Sequence, residues 1–445
     1  MTGDSAKNPD QPENEHIPTA SFIPRPISGV NDTGLDFLWL QDLILKVMYY
    51  QGYISGFKIS EEIALPFVGV VDQLLDALKR DKLVEVRSTQ QMGFGQGAYT
   101  YAITSLGITR AQEALERSLY AGPAPVPLHA YNESLILQRR GRVAVTQAAI
   151  RNVLSHLVIS EKTYLKLGPA VNSGTSIFLY GPPGDGKTSL ARAVGEIVLK
   201  QEMYIPYAIY IDGQVIKLYD SMNHTIVHED DGSGSQPTRN RRDPRWVRIK
   251  RPFIVTGGEL TLAGLDLVFD DVHKYYEAPF QVKANGGILL IDDFGRQLVA
   301  PRDLLNRWIV PLENRIDFLT LHTGRKIEIP FDVLVIFSTN LPPKDLVDEA
   351  FLRRLRHKIE IEDPSYEEYR EIFKRVAAVK GVQYNDQGLA YLLQEWYIKR
   401  NRKLRSSHPR DICDQILDIS NYLTIEPAMT IEILDRAAEA YFVEL

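Results

Sequence analysis

The chain has 445 residues, 44% of them hydrophobic and 24% charged, with a formal net charge of -6. That length is enough for two or three domains with separate cores, and the acidic balance excludes a surface devoted to neutralising nucleic acid. The single cysteine, Cys413, excludes an internal disulfide and a cysteine-rich zinc site, and the nine histidines show no H-E-x-x-H spacing. No apolar run is long enough to cross a bilayer, and the first residues lack the apolar stretch of a signal peptide. A cytoplasmic protein without membrane insertion is therefore expected.

Residues 1–33, rich in Pro, Asn, Asp and Ser and without periodicity, read as a disordered tail. From Gly34 the pattern changes. "LDFLWLQDLILKVMYYQG" spaces its apolar residues as a helix does and stops at a glycine. "KISEEIAL" reads as a short helix capped by Ser60, and "FVGVVDQLLDALKRDK" as a third helix after Pro66. "LVEVRS" and "YTYAIT" read as two strands around the turn "QQMGFGQGA", and "TRAQEALERSLYAG" as a closing helix. Three helices followed by a hairpin resemble a winged-helix domain over 34–120. Residues 121–140, opening with "AGPAPVPLHAY", read as a stiff proline-rich linker.

Over 141–360, the strand-like runs "SIFLYG", "YAIYID", "GILLIDD" and "VLVIFSTN" alternate with helical segments. Such alternation predicts an α/β domain with a mainly parallel sheet flanked by helices. Residues 361–445 carry helical patterns only and read as a helical lid.

"SIFLYGPPGDGKTSLARAVG" contains the spacing G-x-x-x-x-G-K-[ST] between a predicted strand and a predicted helix. Glycines let backbone N–H groups curl around phosphates, and a helix N-terminus adds a favourable dipole. The loop Gly181, Pro182, Pro183, Gly184, Asp185, Gly186, Lys187, Thr188 and Ser189 is therefore expected to bind ATP. Lys187 would reach the β- and γ-phosphates, and Thr188 would offer its hydroxyl to Mg²⁺. A phosphate loop needs a strand-end carboxylate for the metal. In "GGILLIDDFGRQ" Asp292 fits that role, and Asp293 beside it stands where a second acid can polarise the attacking water. Most relatives carry Glu there, one methylene longer. Asn340, at the tip of "FDVLVIFSTNLPP", could orient that water, although a strand-end Asn is often only a turn former.

The order of P-loop, acidic strand, Thr-Asn strand, "DEAFLRRLRHKIEI" and helical lid resembles the AAA+ ATPase family, from about Gly141 onward. The resemblance makes Asn340 the sensor-1 residue. It puts Arg353 and Arg354 where the family carries an arginine finger completing a neighbour's site, and Arg410 of "SSHPRDICDQI" at sensor 2. It implies Mg-dependent ATP hydrolysis in a homo-hexameric ring that remodels a protein partner. "DFLTLHTGRKIEIPFD" (317–332) reads as a hairpin turning at Thr323-Gly324. A hairpin there resembles the pre-sensor-1 branch, with "FQVKANGGILLIDD" similar to the magnesium-chelatase and MoxR groups. The "GAFTGA" loop of the activator ATPases is missing.

Two features keep an alternative open. Arg239, Arg241, Arg242, Arg245, Arg248, Lys250 and Arg251 surround Trp246, a pattern able to grip single-stranded nucleic acid or to pair with an acidic patch. Tyr275 and Tyr276 could face a pore or pack in a core. The alternative function is an ATP-switched DNA-binding regulator, and a third is a nucleotide-binding scaffold weakened by Asp293. Against DNA, residues 34–120 hold eight Lys/Arg and ten Asp/Glu, and DNA affinity rests largely on phosphate neutralisation.

Overall fold

The computed structural model describes residues 22–89, 96–140, 144–228, 242–346 and 352–442. At the N-terminal end, helix Phe37–Gln51 stops at Gly52, as its pattern predicts. The cap of the second helix, Gly56–Glu62, is Ser55 and not Ser60: Ser55 has the extended backbone a cap requires and accepts from the Lys58 N–H at 3.2 Å. Ser60 instead donates its hydroxyl to the Leu65 carbonyl. The third helix is shorter than its apolar run, spanning Asp72–Arg80. Gly69 interrupts the run at φ 84°, where the Ser28 carbonyl leaves no room for a Cβ. Strands Val84–Thr89 and Tyr99–Ile103 pair antiparallel, joined by a third strand, Tyr53–Ser55, too short to show a period in sequence.

Two expectations fail at the edges of this unit. Residues 22–33 are not a disordered tail: Ile27 and Thr33 are buried, and Phe22 meets the Trp246 ring edge-on at 5.3 Å. Residues 1–21 lie outside the described residues. The expected linker is built into the fold, with Val126–Pro127 pairing parallel to Ala208–Ile211 and Leu128–Arg140 forming a helix. Its prolines are confined to 121–127, and Tyr131, Leu135 and Gln138 beyond them are buried. Gln138 also bonds the Tyr204 backbone twice, at 2.9 and 2.7 Å.

Arg245 fastens the N-terminal unit to the rest. It is 3% exposed, forks onto Asp243 and donates to the carbonyls of Thr33 at 2.7 Å and Pro125 at 3.0 Å. Replacing Arg245 with Ala would leave the buried Asp243 charge without its fork, and breaking such a pair costs about 3–5 kcal/mol. Chemical denaturation of R245A should show that loss; a change under about 1 kcal/mol would mean that water restores the bonds.

The α/β region is built on five parallel strands in the order Phe253–Thr256, Ile288–Ile291, Leu334–Thr339, Ser176–Tyr180, His357–Glu360. Ile288–Ile291 and Leu334–Thr339 are buried along their whole lengths. Helices cover both faces, so these strands read as continuous apolar runs without alternation. "YAIYID" is not in this sheet. Its strand Ala208–Ile211 belongs to a second, mixed sheet with Gln214–Lys217, Tyr275–Glu277, Val268–Asp270 and Val126–Pro127. The other two strands of the parallel sheet are "FIVT" and "HKIE", each of four residues and too short to stand out in sequence.

The expected hairpin is present as Ile316–Thr320 against Lys326–Pro330. The lid holds a separate apolar core around Tyr369, Phe373, Trp396, Ile412 and Leu434. Its first helix, Tyr366–Lys380, carries a capping box from Ser365 and Glu368 and stops at Gly381. Among the described residues no helix is long and apolar enough to cross a membrane.

Candidate functional site

Parallel sheets bind ligands beyond the carboxyl ends of their strands. Here the strands before Gly181, Asp292 and Asn340 are neighbours and end at that edge together. After strand Ser176–Tyr180 the loop turns through Gly184 at φ 86° and Gly186 at φ 79°, and Lys187 opens a 13-residue helix. At Gly186 a Cβ would meet nothing within 4 Å, so the space at this helix N-terminus is open.

Lys187 is 6% exposed and donates to the Gly181 and Pro182 carbonyls at 3.0 and 2.7 Å. Burial pulls its ammonium below the usual lysine range, against the opposing pull of Asp185 and Asp293. A buried cation whose hydrogen bonds go to carbonyls suits an anion. The Thr188 hydroxyl donates to Asp292 Oδ1 at 3.0 Å, so both expected metal ligands meet. Asp293 takes a left-handed backbone, φ 49°, and accepts from Asn340 Nδ2 at 3.3 Å. Asp tolerates that conformation better than most residues, and such strain is often kept at functional sites.

These groups open on a cleft of about 590 Å³ lined by Lys187, Thr188, Ser189, Asp293, Asn340 and Arg410. Pro183 is exposed and is not among the residues lining the cleft. Arg410, in the first turn of the lid helix His408–Leu423, contacts Asp411 at 3.1 Å and keeps most of its side chain in solvent. The cleft also has an apolar wall, with Leu157, Val158, Ile159, Ile361, Ile372 and Val376 among its lining. Sequence reasoning missed that wall, because its residues come from three segments with no shared motif.

Arg353 and Arg354 are not among the residues lining this cleft. Arg354 donates to Glu313 Oε1 at 2.6 Å on helix Ile309–Asn314, and Arg353 is exposed. Asp185 also lines the cleft, and its carboxylate is bonded to the lid. It accepts from the Ser406 N–H and from Arg405, both at 3.0 Å. Burial raises its pKa, and those two partners pull it back. Arg405 was also missed, although a carboxylate within a phosphate-type loop signals the need for a cationic partner.

Among the described residues, most of the two ambiguous features is internal structure. Tyr276 is fully buried with its hydroxyl on His322, and Tyr275 stands edge-on to Tyr120 at 5.8 Å, which is core packing. Among its described residues the basic patch is mostly engaged within the chain. Arg242 donates to the Tyr204 hydroxyl at 2.9 Å, Arg245 is buried on Asp243, and Arg248 pairs with Glu202. Arg251 is buried on the Gly286 and Gln138 carbonyls, and Trp246 is buried. Lys250 is exposed; Arg239 and Arg241 lie outside the described residues.

A family described as a domain of unknown function (DUF8689) matches residues 365–440, the lid. No curated protein matches the chain. Among solved structures, the Thermotoga maritima RuvB Holliday junction branch migration motor is similar at 17% identity, covering 67% of this chain and 71% of that one, with a TM-score of 0.35. NtrX from Brucella abortus is similar at 14% identity, covering 76% of this chain and 68% of that one, with a TM-score of 0.39. At such scores neither likeness carries a conclusion about function.

Proposed function

We propose that the chain is an AAA+ ATPase that hydrolyses ATP with Mg²⁺, assembles into a ring and remodels a protein partner. The observation that supports this best is the convergence of Lys187, Thr188, the Asp293–Asn340 pair and Arg410 on one cleft at the carboxyl edge of a parallel sheet, with Asp292 bonded to the Thr188 hydroxyl. The nucleotide phosphates fit the open helix N-terminus and the buried Lys187. Thr188 and Asp292 suit Mg²⁺, a hard cation that takes oxygen ligands; bound there, the ion would neutralise charge on the phosphate oxygens. Among the described residues no cluster of three or more His, Cys, Asp or Glu is arranged to hold a metal by itself. Asp293 would accept the proton of the attacking water, with Asn340 orienting the carboxylate. The apolar wall from Leu157 to Ile159 would take the base.

Arg354 lies outside its own cleft, as a finger acting on a neighbouring subunit would require. The N-terminal helices and three-stranded sheet follow the order of a winged helix. Its third helix presents Asp72, Gln73 and Asp76, and Lys79 is already paired with Asp76 at 3.1 Å. That acidic face suits a protein partner better than a DNA backbone.

The test is ATP turnover per subunit against protein concentration with Mg²⁺ present. A steep rise is expected, because sites completed between subunits exist only in the assembly. Turnover that stays near zero at every concentration would remove the motor reading and leave a nucleotide switch.

A further inference from the structure

Asp185 is a carboxylate set inside a loop shaped for phosphate, and its side chain is 0% exposed. A bound polyanion would be repelled by that charge unless something neutralises it. Both neutralising groups come from the lid: the Arg405 guanidinium and the Ser406 N–H, each at 3.0 Å. Arg405 is itself held from a second side, pairing with Asp363 in the segment that joins strand His357–Glu360 to the lid, with Lys403 3.6 Å from the same carboxylate. The next lid residues come with it. Ser407 Oγ lies 2.5 Å from where a Cβ of Gly184 would stand, and Arg410 lines the cleft. Loop, hinge and lid therefore share one guanidinium.

We propose that Asp185 and Arg405 form a charge clasp that makes nucleotide affinity depend on lid closure, with Asp185 a positioning residue and not a phosphate ligand. This rests on the nucleotide-site reading above. With the lid closed, Asp185 is paired and its repulsion on phosphate is cancelled. When the lid swings out, Arg405 and the Ser406 N–H leave together, and the carboxylate again opposes the anion. Coupling of this kind is reciprocal, so nucleotide in turn favours the closed lid and holds Arg410 over the cleft.

The experiment is titration of a fluorescently labelled ADP with Mg²⁺ into the full chain carrying R405A, D185N or both. R405A is expected to weaken binding about 10-fold or more, within the range of allosteric couplings. D185N in the same chain removes the charge that needed a partner, and binding should recover to within about 3-fold of the unaltered chain. A direct Arg405–phosphate contact predicts the opposite: the double variant stays as weak as R405A, and the clasp is wrong. R405A that binds as tightly as the unaltered chain also overturns it. An unaltered chain that binds no ADP overturns the nucleotide-site reading, and the clasp with it. Should R405A fail to fold by thermal melting, R405Q keeps the packed stem and carries the same comparison.

Discussion

Asp293→Asn is expected to lower ATP turnover by about 100-fold or more while leaving nucleotide affinity nearly unchanged, the usual size of a lost general base. The substitution suits this position. Asp293 holds φ 49°, which Asn also tolerates, so the turn after strand Ile288–Ile291 survives. Asn340 keeps an oxygen to donate to across 3.3 Å. Only the charge and the proton acceptor are removed. The Thr188–Asp292 hydrogen bond, at 3.0 Å, involves the preceding residue and is untouched. Single-turnover hydrolysis and ADP titration separate the two effects. A loss of affinity equal to the loss of turnover would reassign Asp293 from water to metal or phosphate. Unchanged turnover would leave this chain without the base assigned to its cleft.

Arg354→Ala is expected to reduce turnover by about 1000-fold, the scale of a missing arginine finger, without weakening ADP binding to the same chain. The guanidinium sits outside its own cleft, on Glu313 at 2.6 Å. A partly exposed pair of this kind contributes little to stability, so it does not bar exchange of Glu313 for a neighbour's phosphate. The decisive measurement mixes two inactive proteins. Chains carrying K187A keep Arg354, and chains carrying R354A keep an intact cleft. If the arginine acts between subunits, the mixture regains turnover at interfaces where the first chain faces the second. A mixture as inactive as its components would sink that assignment, and R353A in the same mixture then tests the adjacent arginine.

Much of this site is legible in the sequence, because a phosphate loop is a local device. Spacing from Gly181 to Thr188 dictates where glycines must bend the chain and where Lys187 must start a helix, and the structure has both. Asp292, Asp293 and Asn340 are equally readable, since each sits where an apolar run ends in a polar tip. Arg405 is not. Its partner Asp185 is 220 residues away in sequence, and nothing local distinguishes it from its neighbours in "RKLRSS". The described part of the basic patch misleads for the same reason: Arg245 and Arg251 look like surface charges until their carbonyl partners, contributed by distant segments, are in place.

By itself, then, the sequence determined the α/β class with its helical lid, the glycine-turned loop that ends where Lys187 opens a helix, the two strand-end acids and the hairpin at 317–332. All of these follow from periodicity and spacing within a few residues, where backbone geometry is local. The tertiary structure decided which strands share the parallel sheet, that residues 22–33 and 128–140 are built into the fold, and that Arg405 closes on Asp185. Those outcomes depend on which buried charges and apolar faces find partners across the chain, and such partners meet only once it has folded.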